Sequence, residues 1–130
     1  DAPSEAPLTV PAGHTLRVHG EVFAPDDRAP VVAVGLVKGD GTPVYGLSSD
    51  MSDYVPTRLG LQRFGFCLEF PDLALLPGQY EVRAHALDAE GYRLFDQVAC
   101  VLQVSGRSRE LGVCRLQHRW LDGGFEAPDN

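Results

Sequence analysis

A catalytic reading of this chain would begin with Asp50 and Asp53, two carboxylates three residues apart in a stretch rich in Ser, Pro and Gly. Paired carboxylates at a fixed separation carry out general acid–base hydrolysis, that of glycosides included. Two acids on one irregular loop seldom hold that separation; more often they bond nearby backbone N–H groups and stabilise turns. Zinc chemistry would draw on His14, His19, His85 and His118, but these lie on separate segments without the close spacing of a ligand pair. A thiol nucleophile would need Cys67, Cys100 or Cys114 beside a histidine. Cys100 and Cys114 stand among apolar neighbours as small core residues, whereas Cys67 falls on the outward side of its strand. No G-x-x-x-x-G-K-[ST] loop occurs, so the chain offers nucleotide phosphates no cradle. The expectation is a chain with no catalytic residue, no metal site and no cofactor. What remains is a row. Glu81, Arg83 and His85 alternate along one segment, and Arg93, Phe95 and Gln97 along the next.

The elements that must hold such rows are strands. From Thr15 onward the dominant period is two, and successive strand residues face opposite sides of a sheet. In Thr15–Val22 the residues Leu16, Val18 and Val22 alternate with polar ones; Val31–Val37 is apolar on both parities, as in a central strand covered on both faces or meeting a ligand on one. Asp40-Gly41 marks a tight hairpin leading to Pro43–Leu47. Ser48–Gly60 loses periodicity and reads as a long surface loop. Alternation resumes over Phe64, Phe66, Leu68 and Phe70, with Arg63, Cys67 and Glu69 opposite. Pro71–Gly78 reads as a single helical turn, Gln79–Asp88 and Tyr92–Val104 as strands, and Leu111–Trp120 as a last strand. Within Gln79–Asp88, Tyr80, Val82, Ala84 and Ala86 point inward and Glu81, Arg83 and His85 outward. Seven to nine short strands with almost no helix predict an all-β, immunoglobulin-like antiparallel β-sandwich. Tyr80, just after Pro77-Gly78, sits where such sandwiches place a corner tyrosine, the alternative being a ring that simply fills core.

Length and charge set the frame. The chain has 130 residues, 18 acidic against 11 basic, and a net charge of −7. That size suits one domain with a core sufficient without disulfide staples. The acidic balance argues against a general nucleic-acid binder, and no apolar run approaches the ~18 residues of a membrane helix. Three cysteines without C-x-x-C spacing fit reduced thiols in a cytosolic protein, while a secreted protein already freed of its signal stays open. The Pro/Ala/acidic start is read as a linker over residues 1–12, followed by the sandwich over 13–121 and a flexible tail over 122–130. The chain is expected to be a domain of something longer.

The order of these features resembles a known family, the C-terminal domain of the ATP-binding subunit of O-antigen polysaccharide exporters, the Wzt-type ABC transporters. The matching segments are Val18–Phe23, Ala33–Val37, Gly39–Gly46 and Leu75–Tyr80, with Asp96 and Leu111-Gly112-Val113 as late markers. They fall in the expected order over roughly residues 15–120. One departure is Ser48-Ser49 after Leu47, where the family often carries Asn-Thr. The resemblance implies a cytoplasmic, non-catalytic carbohydrate-binding module at the inner face of the bacterial inner membrane, recognising finished O-antigen polysaccharide of lipopolysaccharide by its modified non-reducing end. It implies as partners an upstream nucleotide-binding domain, the transmembrane permease and a second copy of the chain, with the last strand able to cross to that copy.

Under this reading the outward row becomes the expected sugar face. Sugar recognition needs planar polar groups for neighbouring hydroxyls and an aromatic or apolar surface for the C–H face. The candidate residues are Tyr45, Arg83, His85, Arg93 and Gln97, the alternative being an ordinary solvated face whose charges pair across strands. The second choice is the loop with Ser48, Asp50, Asp53 and Tyr54. The last strand is arginine-rich within an acidic domain, so Arg115, Gln117, Arg119 and Trp120 are the expected dimer residues; an intramolecular edge strand is the alternative. A structural dimerisation domain that never touches sugar is the competing function.

Overall fold

The period-two segments become strands wherever their apolar side finds a second sheet to cover it. The computed structural model describes residues 7–123. Its strands are β1 (Leu8–Pro11), β2 (Leu16–Phe23), β3 (Val31–Lys38), β4 (Pro43–Ser48), β5 (Thr57–Gly60), β6 (Arg63–Phe70), β7 (Gly78–Leu87) and β8 (Leu94–Ser105). They form a five-stranded sheet in the order β1-β8-β7-β3-β4 and a three-stranded sheet in the order β2-β6-β5. Both the split and the order are those of an immunoglobulin-like sandwich, as expected. All pairings are antiparallel except β1 with β8, which run parallel.

The inward parity of each strand supplies the core. Leu16, Val18 and Val22 of β2 and Phe64 and Phe66 of β6 meet Val32, Val34 and Leu36 of β3 and Tyr80, Val82, Ala84 and Ala86 of β7. Phe64, Leu102 and Val22 are the largest side chains wholly withdrawn from water. The corner tyrosine is present: buried Tyr80 donates its hydroxyl hydrogen to the carbonyl of Leu76 at 2.6 Å. At the opposite end, Asp96 Oδ2 accepts from the backbone N–H of Phe23 at 3.1 Å and ties β8 to β2.

Several expectations change. Leu8–Pro11, inside the segment read as linker, is β1; it pairs with Leu102–Ser105 and sends Val10 into the core. Residues 1–6 and 124–130 lie outside the described residues. Pro71–Gly78 is not a helical turn, because Leu73, Leu75 and Leu76 are all buried and only an extended path delivers them together to the end of the sandwich. The Ser48–Gly60 loop contains a 3₁₀ turn (Ser49–Ser52) and then β5. Leu111–Trp120 is not a strand within this chain. It makes one isolated bridge, Leu75 with Cys114, and from Arg115 onward has no sheet partner among the described residues. Cys114 is therefore exposed instead of buried, while Cys100, opposite Val82, is half-buried and Cys67 is exposed.

Candidate functional site

The two outer faces of the sandwich differ in how their charges are spent. On the three-stranded sheet Arg17 pairs with Glu69 across strands at 2.9 Å, and Arg63 pairs with Glu21. The Arg63 guanidinium holds the Glu21 carboxyl below the usual carboxylate range. This is the ordinary solvated face, with its charges neutralised in place.

The five-stranded sheet carries its polar groups differently. Its register sets Ser48, Ala33, His85 and Gln97 in one row across β4, β3, β7 and β8. The next row is Gly46, Gly35, Arg83 and Ala99. Arg83 bonds Glu81 through Nε at 2.6 Å, and its two terminal nitrogens have no partner among the described residues. Neither the His85 ring nor the Gln97 side-chain amide has a hydrogen-bond partner among them. Three planar polar groups therefore stand on one face with their bonding capacity unspent.

Their neighbours are small. Ala33, Gly35, Gly46 and Ala99 form a low floor beside Arg83 and His85. Packing does not demand the two glycines: a Cβ on Gly35 would lie 3.8 Å from the nearest atom, and one on Gly46 3.7 Å, both ordinary contacts. Neither has positive φ. Glycine weakens a strand interior and often marks the close approach of something else. Facing each other across β3 and β4, these two clear a floor bounded by Arg83 and His85 on one side and Ser48 on the other.

Ser48 joins the two candidate sites foreseen in the sequence. It ends the row of His85 and Gln97, and its hydroxyl is bonded to Asp50 on the following 3₁₀ turn. Ser48 and Asp50 thus border the same floor. Asp53 is the turn's C-cap, with φ of 55° and its N–H on the Asp50 carbonyl. Tyr54 leans the other way, its hydroxyl 3.4 Å from the N–H of Cys67 on β6.

Tyr45, Phe95 and Arg93 do not join that face. A simple hairpin over Asp40-Gly41 would set Tyr45 opposite Gly35, on the outer face. Instead Val44 is an extra residue, the register steps between Leu36 and Val37, and Tyr45 opposes inward-facing Leu36. It meets Phe70 edge-on at 6.4 Å between ring centroids. A second bulge lies between Ala86 and Leu87. Phe95 is the residue left over; it packs against the core, and Arg93 falls in the turn before β8. One inserted residue reverses the facing of everything beyond it. Sequence periodicity missed the small floor residues, whose signal was glycine on the outward parity of β3 and β4.

The expected dimer residues trail from the body. Leu76 donates to the Val113 carbonyl at 2.8 Å and Arg115 to that of Ala74 at 2.6 Å, which anchors the segment. Beyond it Gln117 and Arg119 are exposed, and Trp120 is 95% exposed.

Comparison with solved structures agrees with this architecture. The chain is similar in structure to the C-terminal domain of Wzt. A crystal structure of that domain superposes with a TM-score of 0.66 over 89% of this chain and 73% of the other, at 18% identity. The family resemblance read from the sequence is thus met by a neighbour of the same fold. No protein-family model matches the chain, and no curated protein matches it. No helix among the described residues is long and apolar enough to cross a membrane.

Proposed function

We propose that this domain is a non-catalytic carbohydrate-binding module that reads an O-antigen polysaccharide and couples it to export through an ABC transporter. The observation that carries the reading is the outer face of the five-stranded sheet. Arg83, His85 and Gln97 offer unspent planar hydrogen-bonding groups beside a floor kept low by Gly35 and Gly46. Neighbouring hydroxyls of a sugar suit a guanidinium, an imidazole and an amide, and the Ala/Gly floor suits the ring's C–H side. Strands lie about 4.8 Å apart, so His85 and Ser48, separated by β3, stand roughly 10 Å apart, enough for one pyranose ring between them. Catalysis has no support: Asp50 is engaged by Ser48, and Asp53 caps a turn. The domain then works at the cytoplasmic side of the inner membrane, beside a nucleotide-binding domain and a permease.

Isothermal titration with the source organism's own O-polysaccharide tests this, with an unrelated polysaccharide as control. Saturable heat with the native glycan alone is expected. Arg83→Ala with His85→Ala should weaken binding at least tenfold and leave the thermal transition in place. No heat with the native glycan overturns the reading.

A second reading, assembly of the parent protein, is favoured by one observation. Leu111, Leu116, Trp120 and Leu121 are all largely exposed on a segment whose one bridge among the described residues is Leu75 with Cys114. Pairing of that segment with a second copy would cover them and give a homodimer. The two readings are compatible.

A further inference from the structure

Beside the candidate sugar face, on the β4 side of the sandwich, the two sheets leave a pocket of about 210 Å³ between β3, β4 and β6. Its walls are Val32, Val34, Leu47, Phe66 and Leu68, all on the inward parity of their strands. Its rim is polar: Ser48, Ser49, Ser52 and Tyr54 line it too. Ser49 Oγ accepts from the Val32 N–H at 2.9 Å, and its own hydrogen has no acceptor among the described residues. Ser52 has no side-chain partner among them. The pocket thus has an apolar interior and a rim with hydroxyl hydrogens to give.

Cores close over apolar space because an unfilled void forfeits contacts, and a cavity of roughly 150 Å³ lined by Leu, Ile and Phe takes up benzene. This pocket is of that order, and its rim residue Ser48 also ends the row of Ala33, His85 and Gln97. A whole sugar inside it would bury hydroxyls against valine and leucine without partners. An acyl group fits both parts, with its carbons against the walls and its ester or amide carbonyl at the hydroxyl rim. We infer that the pocket holds a short acyl substituent of the bound glycan, so that the module distinguishes acylated sugar from bare sugar. The inference rests on the glycan-binding reading and adds a second, apolar point of recognition to it.

The test uses the whole domain with methyl-labelled NMR and calorimetry. Butanamide, as the acyl group alone, should shift the methyl signals of Val32, Val34, Leu47 and Leu68 saturably, and acetamide much less. Native O-polysaccharide should bind at least tenfold more tightly than the same polysaccharide after chemical removal of its acyl groups, a ratio that burial of about two methylene groups supplies. Leu47→Trp, which fills the pocket, should erase that ratio, and its thermal transition reports whether it folds. Equal binding of native and deacylated glycan overturns the acyl pocket and leaves the face reading standing. So does a native glycan that binds but carries no acyl group. If neither glycan binds, the face reading falls and this inference with it, whatever butanamide does. Methyl shifts that appear only with a second copy, as dimer forms, would assign the pocket to protein contact and overturn the inference.

Discussion

The hydroxyl of Tyr80 stands 2.6 Å from the carbonyl oxygen of Leu76 and 3.3 Å from that of Val113. Its single hydrogen serves Leu76, while Val113 already accepts from the Leu76 N–H at 2.8 Å. One buried side chain thereby holds the corner before β7, and Leu76, which it bonds, holds the C-terminal segment in turn through its own N–H. Burial raises the Tyr80 phenol above its ordinary value, so it remains a donor at neutral pH. Tyr80→Phe keeps the ring and leaves the Leu76 carbonyl short of its partner. A loss of about 1–2 kcal/mol is expected, read as a lower urea midpoint at unchanged slope. An unchanged midpoint would mean that the corner is held by packing alone.

The facing glycines give a test that separates folding from binding. Gly46→Val places a branched side chain at a strand position where a Cβ has 3.7 Å of clearance. β-Branched residues suit strands, so stability should hold or rise by up to about 1 kcal/mol. The same side chain fills the floor between Ser48 and Arg83, and affinity for the O-polysaccharide should fall at least tenfold. A variant that binds as well as wild type places the glycan off this floor. One that unfolds shows that the glycine serves the fold.

The fold was legible because each sheet has one dry face. Tyr80, Val82, Ala84 and Ala86 alternate with Glu81, Arg83 and His85 without interruption, and β7 keeps that pattern from Tyr80 to its end. The candidate face was legible only as far as the pattern stayed unbroken. Arg83, His85 and Gln97 share a face as periodicity requires, but one extra residue in β4 moved Tyr45 off that face to the sheet's edge beside Phe70, where it stays 56% exposed, and another in β8 turned Phe95 toward the core. Bulges of this kind depend on twist and on the neighbouring strand, and no local residue pattern announced them. The last segment differs for another reason: Leu111–Trp120 carries strand-like residues, but apart from the Leu75–Cys114 bridge it pairs with no strand among the described residues.

Asp27 holds another junction, and its charge makes that junction sensitive to acid. It adopts positive φ, 62°, and its carboxylate accepts from Arg58 Nη1 at 2.6 Å and from the Gln62 N–H at 2.7 Å. Arg58 and then the Gln62 N–H hold the carboxyl below its usual value of 3.8. A depressed folded-state value stabilises the protein fully above the unfolded carboxyl's range and less as pH falls through the folded one. Asp27→Asn keeps a residue that tolerates positive φ and removes the charge. Wild type should lose stability relative to this variant as pH drops below about 4, so the gap between their urea midpoints narrows. A gap independent of pH across the acid range would assign the effect to hydrogen-bond geometry alone.

The C-terminal segment can be divided at the point where its contacts with the body end. Val113 packs against the core, and the N–H of Arg115 bonds Ala74; beyond that Leu116, Trp120 and Leu121 are exposed. Removing everything after Ser105 strips the cover from Leu75 and Leu76, which are 6% exposed with the segment in place, and should destabilise the domain. Removing only the residues beyond Arg115 keeps those contacts and should leave a folded protein. If the exposed stretch pairs with a second copy, light scattering will find the full domain dimeric and the shorter cut monomeric. Trp120 is the only tryptophan, so intrinsic fluorescence excited at the indole band reports on this stretch alone. Its emission should move to shorter wavelength as concentration drives association and the 95% exposed ring is covered. A folded dimer after the cut at Arg115, with Trp120 emission in the full domain insensitive to concentration, would place the dimer seam elsewhere.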